Sequence, residues 1–193
     1  MSNQPSEARV AVFIADGLEE IEGLTVVDLL YRAAIPCDTV SISHDRTVTS
    51  SHKVTIVCDR TIYDDDFSFT DYRLIVLPGG VPGTPNLAAC EPLIAELRRR
   101  MAEGQPVAAI CAAPTILAEL DLLKGRHATC YPDRQPTLIE RGAIVDAGNV
   151  IIDGNLTTSR GMGTAIDFAL SLIAQFKGQE EADRLSHAIV YTD

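Results

Sequence analysis

A chain of 193 residues, 46% hydrophobic, has the size and apolar content to close one core without disulfides or a structural metal. Its formal net charge of −11 excludes a phosphate-facing nucleic-acid surface, which needs clustered Lys and Arg. No apolar run approaches the roughly 20 residues of a membrane span, so a membrane partner is not expected either. The expectation is a single domain over residues 1–193, with 1–8 as a disordered tail. The opening "MSNQPSEARV" lacks the charged-then-apolar pattern of a signal peptide. The five cysteines (Cys37, Cys58, Cys90, Cys111 and Cys130) form no CxxC pair, which indicates neither a disulfide framework nor a zinc site. A reducing cytoplasm is the expected compartment, and there the sequon at Asn155 stays unmodified.

Taken in chain order, "RVAVFIA" reads as a buried strand ending at Asp16-Gly17. "LEEIEGLTVVDLLYRAA" has helical spacing, with Ile21, Leu24, Val27 and Leu30 on one face and Glu19 and Glu20 as solvated charges at its start. "CDTVSIS" is the next strand, and "RTVTSSHKVTIVCD" alternates as a hairpin does. Asp64-Asp65-Asp66 reads as a solvated loop rather than a metal site. "RLIVLPGG" is a buried strand closed by Pro78-Gly79-Gly80, and "PLIAELRRRMAEG" a helix stopped by Gly104. Arg98, Arg99 and Arg100 complement the negative end of that helix. "PVAAIC" is another buried strand, "APTILAELDLL" another helix, and "AIVDAGNVIIDGNLTTS" a set of short strands. The helix "GTAIDFALSLIAQFKG" repeats Ile166, Ala169, Ile173 and Phe176 and stops at Gly178, and a short helix follows in "QEEADRLSHA".

Strands alternating with helices imply a parallel sheet covered on both faces, with ligands at the carboxyl ends of the strands. Asp16-Gly17, Pro78-Gly79-Gly80 and Cys111 all fall at such ends. Cys111 lies between a strand and a helix N-terminus, where unpaired N–H groups favour a thiolate. Pro114 falls in the first helical turn, where its missing N–H costs little. The pattern is a nucleophile elbow with Cys in place of Ser, although its flanks, Ile110 and Ala112-Ala113, are not glycines. Gly79 and Gly80 permit a backbone that aims N–H groups into the site, or simply make a turn. Local sequence alone leaves Cys111 either a small buried hydrophobe or a nucleophile.

The stretches "ADGLEEIE", "VVDLLYRAAI", "LIVLPGG", "AAICAAPTIL" and "TTSRGMGTAIDFAL", in this order, span nearly the whole chain. In them the chain resembles the ThiJ/PfpI superfamily, and most closely its Parkinsonism-associated deglycase branch. The resemblance implies a flavodoxin-like three-layer α/β sandwich with a mostly parallel central sheet and a nucleophile elbow. It makes Cys111 the nucleophilic, oxidation-sensitive cysteine and Glu22 the glutamate that contacts it. Burial of such an acid beside a thiolate raises its pKa and lets it donate a hydrogen bond to sulfur. Gly79 and Gly80 match the backbone oxyanion donors, helped by the Ala112 amide. The family's twofold homodimer implies that Arg32 and His52 reach a pocket from the partner's side, although His52 also reads as an exposed hairpin residue.

Departures from the family pattern shape the expected chemistry. Tyr131-Pro132 stands where the best-known members carry His-Pro, so a Cys–His dyad is absent there. His127 lies too far along a strand to substitute and reads as a structural histidine. Met162 replaces a proline of "SRGPGT", a change expected to be tolerated. Without a histidine to protonate an amine leaving group, hydrolase, amidotransferase or protease chemistry is disfavoured. "SRGMGT" is no dinucleotide fingerprint, no phosphate-binding loop is present, and no cofactor or metal is called for. Two functions lead, with a hydrolase or amidotransferase-like enzyme as a weaker third. One is a glyoxalase or deglycase acting on small reactive carbonyls or glycated adducts through a hemithioacetal. The other is an oxidative-stress sensor or chaperone working through oxidation of Cys111.

Overall fold

A computed structural model of the chain describes residues 9–192; the tail expected over 1–8 lies outside them. Residues Arg9–Ile14 (β1) lead into helix α1 (Glu20–Arg32) and β2 (Cys37–Ser41). A small hairpin of β3 (Thr47–Thr49) and β4 (Thr55–Val57) follows, then β5 (Arg60–Thr61) and β6 (Tyr72–Leu77). Two helices, α2 (Gly83–Ala88) and α3 (Glu91–Glu103), precede β7 (Val107–Ile110). Next come α4 (Pro114–Glu119), β8 (His127–Ala128), α5 (Gln135–Glu140) and β9 (Ile144–Val145). The chain finishes with β10 (Val150–Asp153), β11 (Leu156–Ser159), α6 (Ala165–Lys177) and α7 (Gln179–Ala188).

The central sheet has the order β10-β11-β7-β6-β1-β2-β5, parallel throughout except where β10 runs against β11. Its middle strands read as continuous apolar runs because both faces are covered. Val10, Val12 and Ile14 pack with α1, α6 and α7, while Ala11, Phe13 and Ala15 pack with the layer of α2, α3 and α4. The expected three-layer α/β sandwich is therefore present. Strand order reverses between β1 and β6, which sets their carboxyl ends at a topological switch point. No described helix is long and apolar enough to cross a membrane.

Several local expectations are corrected. Helix α1 buries Glu22, Gly23, Val26, Leu29 and Leu30, while Ile21 and Leu24 face outward. The buried stripe is rotated because a carboxylate, not an apolar residue, points inward at position 22. In α6 the buried set is Ala165, Phe168, Ala169, Leu172 and Ile173; Ile166 and Phe176 sit at its margin. Helix α4 is shorter than expected and ends at Glu119. Arg100 does more than complement a dipole. It is 1% exposed, pairs with Glu96 at 2.7 Å and donates to the Tyr72 and Phe69 carbonyls at 2.6 and 3.0 Å. The Asp64–Asp66 loop is solvated as expected, with Asp64 bound to Thr61 and Arg46 and the exposed Asp66 paired with Arg60.

Candidate active site

β7 ends at Ile110 and α4 begins at Pro114, so the chain reverses direction within three residues. Cys111 takes the strain of that reversal, with a left-handed φ of 65°. A non-glycine residue adopts this conformation only where its surroundings enforce it. Here they do: the Cys111 N–H donates to Ser159 O at 3.0 Å, and its carbonyl accepts from Tyr131 N at 2.8 Å. The small Ala112 and Ala113 let the turn pack, and the elbow presents a half-buried thiol above the sheet.

Glu22 reaches the same point from the first turn of α1 and is fully buried. Its Oε2 accepts the Gly79 N–H at 2.8 Å, and its Oε1 has no hydrogen-bond partner. Burial pushes the Glu22 carboxyl up to about 7, against the opposing pull of the Cys111 thiol and the Gly79 and Met162 amides. Burial, then the Glu22 charge, pushes the Cys111 thiol up to about 12, while the Ala112 and Gly80 amides pull it down. Protonation of Glu22 removes the charge that disfavours the thiolate and turns the acid into a donor. The two groups therefore titrate as one coupled pair.

This geometry corrects two expectations. The helix N-terminus does not by itself secure a thiolate, because burial and the neighbouring carboxylate outweigh it. Gly79 does not offer its N–H as an oxyanion donor, because Glu22 occupies that group. Gly80 and Ala112 are the amides aimed at sulfur. Gly79 cannot carry a side chain, since a Cβ there would lie 2.7 Å from both Cys111 Cβ and Glu22 Oε2.

The remaining residues fall around or away from this pair. Tyr131 is tied to the elbow through its amide and is partly exposed. Gly161, quoted in the sequence only as part of a motif, lies where a Cβ would meet Tyr131, Cys111 Sγ and Glu22 Oε1 at 3.5–3.9 Å. Met162 contributes its backbone amide toward Glu22 while its side chain is exposed. His127 is engaged elsewhere, with Nδ1 2.7 Å from Asp146. His52, exposed in the β3–β4 turn, sits 3.1 Å from Glu20 and 3.7 Å from Glu19, and the Glu20 hydrogen bond raises its pKa. Glu19 and Glu20 are thus half-buried partners of His52 rather than solvated charges. These three are the described residues whose donor atoms, all within 4.8 Å of one another, could hold a metal ion. Arg32, paired with Asp28 at 2.7 Å near the far end of α1, is not brought to Cys111 within one chain.

Comparison with known proteins places these features in context. The family model described as "DJ-1/PfpI family" matches residues 8–175. Protein DJ-1alpha of Drosophila melanogaster is 38% identical, over 99% of this chain and 88% of its own length. Protein DJ-1 homolog B of Arabidopsis thaliana is also 38% identical over 93% of this chain, which spans only 40% of that protein's length. A solved structure of a mutant DJ-1 superfamily protein from Salmonella typhimurium superposes with a TM-score of 0.89. It is 32% identical, with 96% of this chain and all of that one covered.

Proposed function

The chain belongs to the DJ-1/PfpI family, and from that membership we propose that it is a cysteine-dependent enzyme converting reactive dicarbonyls to hydroxy acids. The observation that carries this reading is a buried Glu22 carboxyl, poised near neutral pH, set against a thiol on a strained elbow. Such a pair can exchange one proton without help from a histidine.

With methylglyoxal, Glu22 takes the Cys111 proton and the thiolate adds to the aldehyde carbon. The developing oxyanion lies against the Gly80 and Ala112 amides and collects the proton held by Glu22, giving a hemithioacetal. Glu22, now a carboxylate, removes the C1 hydrogen, and the enediol is reprotonated at C2 to a lactoyl thioester. Water then cleaves the thioester with Glu22 as base, returning the thiol and releasing lactate. The sum is methylglyoxal plus water to lactate. Glycated adducts that release a dicarbonyl enter at the same first step. Steady-state lactate formation from methylglyoxal by wild type and by Cys111→Ala tests the reading.

A second reading rests on the buried, unpartnered Glu22 Oε1. A protonated Glu22 can donate to an oxygen of a Cys111 sulfinate, as an oxidative-stress sensor or chaperone needs. We also propose a homodimer through the outward face of α1. There Ile21 and Leu24 are exposed to 46% and 37%, and Leu24 lines a groove with Arg32, Ile166, Ile189 and Val190.

A further inference from the structure

Exposed large apolar side chains are ordinarily scattered singly over a protein surface, and a cluster of them marks a binding site. Three gather at the mouth of the Cys111 site. Val81 is exposed and follows Gly80, whose amide is aimed at Cys111 Sγ. Met162 exposes its side chain while its own amide turns to Glu22. Tyr131 is exposed as well, and its N–H donates to the Cys111 carbonyl at 2.8 Å.

Gly161 sets the spacing between the tyrosine ring and the thiol. A Cβ there would touch the Tyr131 ring at 3.5 Å and Cys111 Sγ at 3.8 Å, so the two stand on either side of a gap one carbon group wide. A cleft of about 520 Å³ adjoins the elbow at Ala112, with Val81 in its lining. Pro85, Ala88, Ala89 and Ile116 give it further apolar surface, and its charged members, Glu119 and Arg134, are exposed. Such a volume suits a small-molecule site and exceeds what methylglyoxal, with its single methyl substituent, can fill. Tyr131 and Met162 are also two of the positions where the chain departs from the family pattern. Each departure brings more apolar surface to the mouth.

We infer that Val81, Tyr131 and Met162 form an apolar collar that makes Cys111 selective for α-oxoaldehydes carrying an aryl or branched-alkyl group on C2, over methylglyoxal. The aldehyde carbon meets the thiol, while the substituent packs on the Tyr131 ring and against Val81 at the edge of the cleft. The inference rests on the dicarbonyl reading and narrows its substrate class.

Phenylglyoxal and methylglyoxal differ only in that substituent, so the ratio of their kcat/KM values reads the collar. Wild type is expected to favour phenylglyoxal by about fivefold or more. Tyr131→Ser and Val81→Ser are each expected to lower the ratio by roughly threefold or more, chiefly through the phenylglyoxal KM, and Tyr131→Phe to retain it. Ile152→Ser, an exposed position toward the opposite end of edge strand β10, is the control for lost apolar surface and leaves the ratio unchanged. A second measurement needs no turnover. Alkylation of Cys111 by phenacyl bromide and by bromoacetone, in which sulfur displaces bromide, compares the same two substituents. Their rate ratio, divided by that for glutathione, is expected to reach about fivefold in wild type and to fall toward one in Tyr131→Ser. Circular dichroism melts confirm that each variant is folded.

A corrected alkylation ratio of one in wild type, or ratios that both serine variants leave unchanged, overturns the collar. A ratio that changes with protein concentration assigns these side chains to contact with a second copy and overturns it as well. Methylglyoxal turnover with flat ratios rejects the collar alone. If neither aldehyde is turned over while the bromides show the expected selectivity, the dicarbonyl reading fails and the apolar collar stands.

Discussion

The Gly79 N–H donates to Glu22 Oε2 at 2.8 Å while the same carboxyl faces Cys111, so one backbone amide after β6 holds the acid against the thiol. A carboxylate anchored this way cannot swing into water to relieve its burial. It answers by keeping its proton to higher pH, and that has a consequence for stability.

Glu22 titrates near 7 in the folded protein against an ordinary value of 4.5. Between these values the unfolded chain has lost the proton and the folded protein retains it. Rising pH therefore lowers the unfolding free energy across this window. The stabilisation present below pH about 4.5 is lost by pH about 8, on the order of 3 kcal/mol in total. Urea unfolding at a series of pH values is expected to show this loss in wild type and a flatter profile in Glu22→Gln. Parallel profiles would contradict the assignment.

Gly79→Ala forces a methyl group against Cys111 Cβ and Glu22 Oε2. Overpacking of this kind costs about 1–3 kcal/mol and displaces the acid, so methylglyoxal turnover is expected to fall at least tenfold. Gly163→Ala, where a Cβ meets open space, is the matched control and is expected to stay within about 0.5 kcal/mol of wild type. Equal behaviour of the two variants in thermal melts and assays would count against the tight packing of the pair.

Much of this arrangement is legible in the sequence, for reasons that differ by element. The strands "RVAVFI" and "RLIVL" announce themselves because a sheet covered on both faces admits only apolar residues. The elbow is legible because a lone Cys at a strand end, followed by small residues and Pro, suits a sharp strand-to-helix turn. The orientation of α1 is not, since a functional buried acid breaks the apolar periodicity on which the reading relies. The short helices "GTPNLA" and "QPTLIE" carry too little periodicity to be seen. The cleft they form with α4 draws on residues far apart in the chain, so no local motif marks it. The role of the Gly79 amide was equally hidden, because a glycine's sequence identity does not say which acceptor its N–H will meet.

Cys58, Cys90 and Cys130 are buried at 2%, 7% and 0% exposure, while Cys37 and Cys111 are half-buried; of these two, Cys111 alone has backbone amides, those of Ala112 and Gly80, aimed at its sulfur. Mild peroxide is expected to oxidise Cys111 first, with the added oxygens localised by peptide mass spectrometry. Glu22→Gln is expected to leave less sulfinate and more of the fully oxidised sulfonate. An even spread of oxidation over the five cysteines would remove the support for a sensor role.

The outward face of α1 offers an independent check on assembly. Leu24→Glu places a charge beside Ile166 and Val190, in a groove that Asp28 and Arg32 also line. Sedimentation is expected to show a dimer for wild type and a monomer for this variant, with the fold retained. A wild-type monomer, or a variant that remains dimeric, would rule this face out.

The most direct test of the central claim is a double-mutant cycle on methylglyoxal turnover with Cys111→Ala, Glu22→Gln and the two combined. If the acid and the thiol act as one unit, each single change lowers kcat/KM by roughly 10²-fold or more, and the double mutant is no worse than Cys111→Ala. Turnover that survives Cys111→Ala, or losses that multiply in the double mutant, would contradict it.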